Sequence, residues 1–495
     1  MKNELLTVGE IQAAEKIVRE EGISEKTLME RAGKGVFEVI LKCFSPCRTV
    51  IFCGPGKNGG DGEVVGRLLK EEGWEIELIL LKELPSFEKI QKSLRQAELI
   101  VDGLLGTGLS RPLEGDILKL VELINVATKP VVSIDVPTGI DMNSGACCGE
   151  AIRATYTVTF FRARPCHYLL PGRVYTGKLY IKDMGFSDQL LPLITHHLNT
   201  PSLWKEVLKE AQPLDHKYAR GACLILGSGC MPGAVRLSSL AARRVGAGLV
   251  RLICKVEEYP IFAGVAWGDV ITPLVSAKEF LEWTEDDRYK ALLWGTGALP
   301  KESTREQALL VLATKKPCVL DGGALSSFEG KTLELTSHLH QNVILTPHEG
   351  EFQRLFPHLA FLKNKAEKAR KAAVEAGTVI VLKGYDTIIA SPQGKIIINA
   401  NAPATLATAG TGDVLAGLMV GLLAQGAPPF QAAAAAVWIH GEAANRIGIG
   451  LIAEDLLREV NQKNKNLRGN RKKPIKNRTQ IIIKNYNLEK IIRGI

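Results

Sequence analysis

Residues 401–425 carry the densest chemistry of this 495-residue chain. The run Ala409-Gly410-Thr411-Gly412-Asp413 feeds straight into an apolar stretch at 414–425. A glycine-rich turn that opens a helix leaves backbone N–H groups unpaired and adds the positive end of the helix dipole, and both favour an anion. Gly410, Thr411 and Gly412 would supply that anion hole. Asp413 is the odd member, because a carboxylate repels phosphate unless it has chemistry of its own. Beside an anion hole it suits deprotonation of a hydroxyl that attacks a phosphoryl group. It equally suits capping the helix, a place where Asp is common.

A second glycine-rich turn, Gly54-Pro55-Gly56-Lys57-Asn58-Gly59-Gly60-Asp61-Gly62, follows a short apolar run at 49–53. It matches the Gly-x-Gly-x-x-Gly dinucleotide fingerprint in form, with Glu75 or Glu77 as the ribose acid. Asn58 and Asp61 go beyond what phosphate binding needs, since they place two side-chain oxygens at the turn. Asp102 and Asp135 each end a further apolar run. Such oxygens gathered with backbone carbonyls suit a hard cation, or a base acting on a sugar or ring. Each Asp taken alone also suits capping the turn or helix after its strand.

Those positions imply the elements that hold them. In the first half a helical pattern at 8–22 precedes apolar strand-like runs at 49–53, 75–81, 99–102, 131–135 and 157–161, with a helical spacing at 63–72 between the first two. In the second half, runs at 222–226, 249–254, 291–294, 318–320, 343–345 and 379–382 alternate with helical patterns such as 234–246. Alternation of this kind predicts parallel sheets covered by helices on both faces, with ligands at the carboxyl ends of the strands. His348, after Pro347 and beside Glu349 and Glu351 at a strand end, is a better site candidate than His440 on its alanine-rich helix. Residues 187–215 lack a long periodic pattern and contain Pro192, Pro201 and Pro213, so they read as a linker and lead-in.

Length allows two or three domains. No charged-then-apolar N-terminal run precedes a small-residue cleavage site, so no signal peptide is expected. The apolar stretches at 414–424 and 432–439 are too short to span a bilayer and read as buried helices. Ten cysteines without Cys-x-x-Cys spacing fit reduced structural thiols in a cytoplasm, although pairing in an oxidising compartment is open to them. The net charge of +9 is a property of the tail, where residues 462–495 hold eleven Lys/Arg against one acid and leave the rest near −1. Such a tail reads as disordered rather than as a nucleic-acid reader. No Gly-x-x-x-x-Gly-Lys-Ser/Thr loop occurs, which leaves an ordinary P-loop ATPase unsupported.

The segments Leu28-Met-Glu-Arg-Ala-Gly33, 54–62, 101–112 and Ser133-Ile-Asp-Val-Pro-Thr-Gly-Ile-Asp141, in that order, resemble the epimerase of hydrated NAD(P)H, a Rossmann-like domain. The resemblance implies a potassium ion on Asn58, Asp102 and Thr138. It implies substrate contacts from Lys57, Asn58, Gly59, Gly60, Asp61, Gly106, Thr107, Gly108, Leu109, Ser110, Arg111, Pro112 and Asp135, with Asp135 as the acid/base at the hydrated ring carbon. Lys57 stands where Asn is common. From 213 to about 460 the chain resembles the ADP- or ATP-dependent NAD(P)H-hydrate dehydratase, and Ala409-Gly-Thr-Gly-Asp413 the anion hole and base of ribokinase-like proteins. By that resemblance Ala234, Gly297, His348 and Asp413 line the hydrated nicotinamide site, Asp413 being the catalytic base. Lys383, Gly384, Tyr385, Asp386, Thr387 and Gly412 hold the adenine nucleotide. Two departures stand out: Trp294-Gly-Thr-Gly-Ala-Leu299 replaces a Gly-Pro-Gly-Leu-Gly type of run, and Asp321-Gly-Gly-Ala-Leu325 lacks a second acid.

The resulting expectation is an α/β chain, with a Rossmann-like three-layer epimerase domain at 1–212, a ribokinase-like dehydratase domain at 213–461 and a basic, disordered tail at 462–495. Its substrates would be NADHX and NADPHX with Mg2+ and ADP or ATP, K+ would serve the epimerase domain, and no nucleic acid or membrane would be involved. A homo-oligomer and a cytoplasmic location are also expected. The rival is a ribokinase-like small-molecule kinase with a nucleotide-sensing N-terminal half; a scaffold without turnover and a plain dehydrogenase fit less of the chain.

Overall fold

Two sheets, one for each half of the sequence, organise the computed structural model, which describes residues 3–106, 111–188, 191, 194–264 and 268–467. The first has six strands in the order Ile76–Leu80, Thr49–Cys53, Leu99–Gly103, Val131–Ile134, Tyr156–Phe160 and Lys178–Lys182, every pair parallel. A strand presents alternate residues to opposite faces. Ile51 and Cys53 accordingly face helices Val8–Glu20, Glu25–Cys43 and Lys57–Glu71, while Val50 and Phe52 face Phe87–Gln96 and Gly115–Val126. The result is three layers, with the glycine-rich turn opening helix Lys57–Glu71 at the carboxyl edge.

The second sheet has eleven strands. Its centre, Val379–Leu382, Val343–Leu345, Cys318–Leu320, Tyr289–Trp294, Ala222–Leu226, Leu249–Lys255 and Val270–Leu274, is parallel throughout. Helices Pro232–Val245, Thr411–Ala424, Pro429–Ile447 and Ala453–Leu467 cover one face. Glu302–Ala313, Glu349–Leu355 and Lys365–Ala376 cover the other. Beyond Val379–Leu382 the sheet turns antiparallel through Ile388–Ala390 and Ile396–Ile398.

Two strands that complete this second sheet come from before residue 212. His196–Leu198 pairs in parallel with Ile396–Ile398, and Glu4–Leu5 pairs antiparallel outside it. Trp204 is buried in the core of the second half, its ring 5.5 Å from Trp438 and its Nε1 donating to Asn199 Oδ1 at 2.9 Å. Part of 187–215, read in the sequence as a linker, is therefore a strand of the second sheet and a core wedge. A three-residue strand is too short for hydrophobic periodicity to reveal. At the other end, helix Ala453–Leu467 continues past 461, and 468–495 lie outside the described residues.

All ten cysteines are unpaired. The apolar runs at 414–424 and 432–439 form the buried helices expected of them. Among the described residues no helix is long and apolar enough to cross a membrane.

Candidate active sites at the strand ends

In the first half, a cavity of about 400 Å3 opens above the carboxyl edge of the sheet. Leu28, Met29, Phe160, Phe161, Met184 and Phe186 give it apolar walls, and Glu15, Lys57, Asp61, Asp135 and Arg164 bring charge. Asp135 follows its strand with φ +61°, a left-handed conformation that non-glycine residues seldom adopt. Its Oδ1 accepts from Thr159 Oγ1 at 2.7 Å and lies 3.1 Å from Arg164 Nη2. His167 holds Arg164 in place: its Nδ1 accepts from the Arg164 N–H at 3.0 Å, and its Nε2 bonds the Asp135 carbonyl at 2.9 Å. Burial pushes the His167 pKa down to about 4, so the imidazole is neutral and Nε2 is the donor.

Asp61 stands in a different environment. Burial raises its carboxyl pKa well above the usual range, and the charges of Asp135 and Glu15 add to that against Lys57. The cavity thus holds one carboxyl whose protonated form burial favours and one paired with a guanidinium. Lys57 sits on the rim, 2.8 Å from Glu15 Oε2.

Below this pair lies the oxygen cluster expected to hold a cation. Asp102 is fully buried; its Oδ1 accepts from Thr138 Oγ1 at 2.7 Å and Leu104 N at 3.3 Å, and its Oδ2 from Ser133 Oγ at 2.8 Å and Thr138 N at 2.9 Å. Burial raises its pKa although all these donors oppose the shift. Asn58 Oδ1 faces Gly106, and Asn58 Nδ2 is buried with no hydrogen-bond partner among the described residues. The Asp102 carboxylate, the Thr138 hydroxyl and the Leu105 carbonyl, 3.2 Å from Thr138 Oγ1, gather oxygens of the kind a hard cation takes, and the Asn58 amide lies against neighbouring Gly106.

Of the other predicted contacts, Gly106 lines the cavity, and Gly59 and Gly60 form the first turn of helix Lys57–Glu71. Arg111 and Pro112 are exposed and do not line it. Thr107, Gly108, Leu109 and Ser110 lie outside the described residues.

In the second half the chemistry gathers at the N-terminus of helix Thr411–Ala424. Its N-cap Gly410 has φ +86° and offers no side chain to the first-turn N–H groups, which leaves them to a ligand. Asp413 lies three residues after this cap, in the first turn, and its carboxylate has no hydrogen-bond or ion-pair partner among the described residues. Burial raises its pKa to about 6, Asp321 contributing and Lys383 opposing. Lys383 Nζ is 2.8 Å from Asp321 Oδ1 and 3.9 Å from Glu351 Oε2. Burial works against its charge, but Asp321, Glu351 and Asp413 outweigh that and hold its pKa above the ordinary lysine value.

The four positions expected at the hydrated ring have separate local settings, and no described cavity is lined by all of them. Ser238 Oγ lies 3.0 Å from the Ala234 carbonyl and 2.9 Å from the Asp413 carbonyl. Gly297, at φ +74°, presses against the start of the same helix, where a Cβ would stand 2.5 Å from Met231 O. His348 is half exposed and caps helix Glu349–Leu355, with Nδ1 accepting from Glu351 N at 3.2 Å. Glu351 then links it to Lys383.

A cavity of about 350 Å3 beside the anion hole is lined by Lys383, Gly384, Tyr385, Thr387, Thr411 and Gly412. Asp386, predicted with them, does not line it. Its Oδ1 is taken by Lys365 at 2.6 Å and its Oδ2 accepts from Leu170 N at 2.9 Å. Conversely, His440 does line it, and burial holds that imidazole neutral with a pKa of about 4. Sequence reasoning also passed over Arg164 and Asp321. Asp321 follows the strand Cys318–Leu320 and carries the same strand-end signal that marked Asp102 and Asp135. Arg164, on a loop after Tyr156–Phe160, gives none.

Comparison with known proteins agrees with this division. A family model described as NAD(P)H-hydrate dehydratase matches residues 222–460, and one described as YjeF-related protein N-terminus matches 25–94 and 82–166. The bifunctional NAD(P)H-hydrate repair enzyme of Salinibacter ruber is 32% identical over 92% of this chain and 94% of its own. The Escherichia coli enzyme of the same name is 32% identical over 90% of each. Among solved structures, the ADP/ATP-dependent NAD(P)H-hydrate dehydratase of Bacillus subtilis, co-crystallised with ATP/Mg2+, is 29% identical over 55% of this chain and 98% of its own, with a TM-score of 0.47. Matches that run through both halves at this identity make the chain a member of the bifunctional NAD(P)H-hydrate repair enzyme family.

Proposed function

We propose that the second half dehydrates one epimer of NAD(P)HX at the expense of ADP or ATP, while the first half interconverts the two epimers. The observation that carries the reading is Asp413: an unpartnered carboxylate with a raised pKa, directly after an anion hole whose Thr411 and Gly412 line a cavity of about 350 Å3.

In the dehydratase site, Asp413 takes the proton of the hydroxyl on the carbon beside the ring nitrogen. That oxygen bonds to the terminal phosphorus of the nucleotide, and the bond to the leaving phosphate oxygen breaks. The N–H groups at Gly410, Thr411 and Gly412, with Lys383, stabilise charge on the moving phosphoryl group. The ring nitrogen's electron pair then expels phosphate, and loss of a proton from the adjacent carbon restores NAD(P)H. Mg2+ enters with the nucleotide's phosphates as part of the substrate; among the described residues no group of three or more His, Cys, Asp or Glu is arranged to hold a metal.

In the epimerase site, protonated Asp61 donates to the hydroxyl as it leaves the ring. Asp135, paired with Arg164, accepts a proton from the water that adds to the opposite face. Asn58, Asp102 and Thr138 would hold K+, whose charge would steady the buried Asp102. A carboxyl whose burial favours its proton and another held by a guanidinium let one site give and take a proton.

The test mixes the full chain with both NADHX epimers and Mg2+, with ADP, ATP or neither, and follows dihydronicotinamide absorbance to completion. Full recovery with one nucleotide is expected. Asp413→Asn removes recovery while the epimers still interconvert; Asp135→Asn stalls recovery after one epimer is consumed. A stable phosphorylated product in place of free phosphate would instead make the second half a kinase.

A further inference from the structure

The nucleotide cavity borrows a residue from the other half of the chain. Loop 383–387 is a tight turn: Gly384 N donates to Thr387 Oγ1 at 3.2 Å, and that hydroxyl donates back to the Gly384 carbonyl at 2.7 Å. Tyr385 and Asp386 stand at its tip, and both are held from the epimerase half. Leu170 N donates to Asp386 Oδ2 at 2.9 Å. Three residues on, in helix Gly172–Thr176, the Arg173 guanidinium lies 4.6 Å from the Tyr385 ring centroid. Tyr385 lines the cavity and is 38% exposed, so a cation over its face decides where the ring rests. Arg173 Nη1 is buried with no hydrogen-bond partner among the described residues. That nitrogen is left without a carboxylate or carbonyl partner, while the guanidinium carbon stands over the aromatic face.

We propose that Arg173 is a positioning residue for the adenine nucleotide: it fixes the Tyr385 ring as a wall of the cavity, so the epimerase half sets the nucleotide affinity of the dehydratase half. This rests on the adenine-nucleotide reading of that cavity. A dehydratase lacking the first half would have to orient its loop by other means, whereas here the orientation arrives with residues 170–173. Arg173 touches no reacting atom, so its influence falls on nucleotide binding and not on the chemical step.

The test uses the full chain and its Arg173→Met and Arg173→Lys variants, with Mg-ADP and Mg-ATP binding measured by isothermal titration. Dehydratase and epimerase rates are measured alongside. Arg173→Met weakens nucleotide binding by about fivefold to tenfold, as expected for a partly desolvated cation–π contact. The nucleotide KM rises in step, kcat for dehydration holds, and epimerisation without nucleotide is unchanged. Arg173→Lys recovers most of the affinity, since an ammonium keeps the charge over the ring. Tyr385→Leu weakens binding similarly, and adding Arg173→Met to it costs little more. Wild-type affinity in Arg173→Met, or fully additive losses in the double variant, overturns the inference. So does an equal fall in both kcat values with lowered thermal stability, the mark of a merely structural residue. A wild-type chain that binds neither nucleotide instead refutes the reading of the cavity itself, and the inference goes with it.

Discussion

Replacing Asp321 by Asn shifts the pH dependence of dehydration, because Asp321 helps set the protonation of Asp413. Dehydration needs Asp413 ionised, so the wild-type rate rises as pH climbs through about 6. Burial is the larger cause of that raised value and Asp321 the next, with Lys383 pulling the other way. Asn at 321 deletes one repulsive charge and frees Lys383 Nζ, now 2.8 Å from Asp321 Oδ1, to favour the Asp413 carboxylate. Both changes stabilise the ionised base, while burial is untouched. The acid limb should therefore fall by about one pH unit, equivalent to about 1.4 kcal/mol. Lys383→Gln moves the limb the opposite way, above its wild-type position, since the opposing cation is gone. The assay is the initial rate of NADH recovery at saturating nucleotide, from about pH 4.5 to 8.5. Unfolding is monitored at each pH so that acid denaturation is not mistaken for titration. If the limb stays at about 6 in Asp321→Asn, Asp321 does not govern the base and the electrostatic account of this centre fails.

Arg164→Met leaves the buried Asp135 carboxylate without its cation, which should cost about 3 kcal/mol in denaturant unfolding of the first half and abolish epimerisation while dehydration persists. Gly410→Ala forces a side chain into φ +86°, with its Cβ 2.7 Å from Leu237 Cδ1 and 2.9 Å from Ala453 Cβ. The left-handed backbone alone costs about 1–2 kcal/mol, and titration calorimetry should show weaker nucleotide binding as the anion hole shifts. Trp204→Ala opens a cavity in the core of the second half, so calorimetric unfolding should show that half destabilised by about 3–5 kcal/mol although the residue precedes 212. An unchanged second transition would show that 196–204 is only attached to that half.

The strand-end acids were legible because parallel sheets bury their strands on both faces. Thr49–Cys53, Leu99–Gly103 and Val131–Ile134 are buried at every position, and such runs stand out as unbroken apolar blocks whose terminating Asp is conspicuous. Where strands are short or lie at an edge, that signal disappears. Glu4–Leu5 and His196–Leu198 have two and three residues, too few for an alternation to repeat, and their pairing depends on a partner some 200 positions away. Cross-chain contacts such as Arg173 on Tyr385 leave no local trace at all.

Residue type and spacing also stop short of assigning roles. Asp102, Asp135 and Asp413 are the same side chain at comparable places, yet the fold gives each different partners. Asp102 has both oxygens engaged by hydroxyl and backbone donors, which fixes the carboxylate in place and ties the strand end to residues 133–138. Asp135 has a guanidinium and a hydroxyl on one oxygen, which leaves the other for a proton. Asp413 has neither kind of partner and a raised pKa, the condition of a base that works near neutrality. Asp386 marks the limit from the other side: it sits inside a matching motif, but Lys365 and Leu170 have already taken both its oxygens. What separates these four carboxylates is which lone pairs remain free after folding, and that is settled by residues far away in the chain.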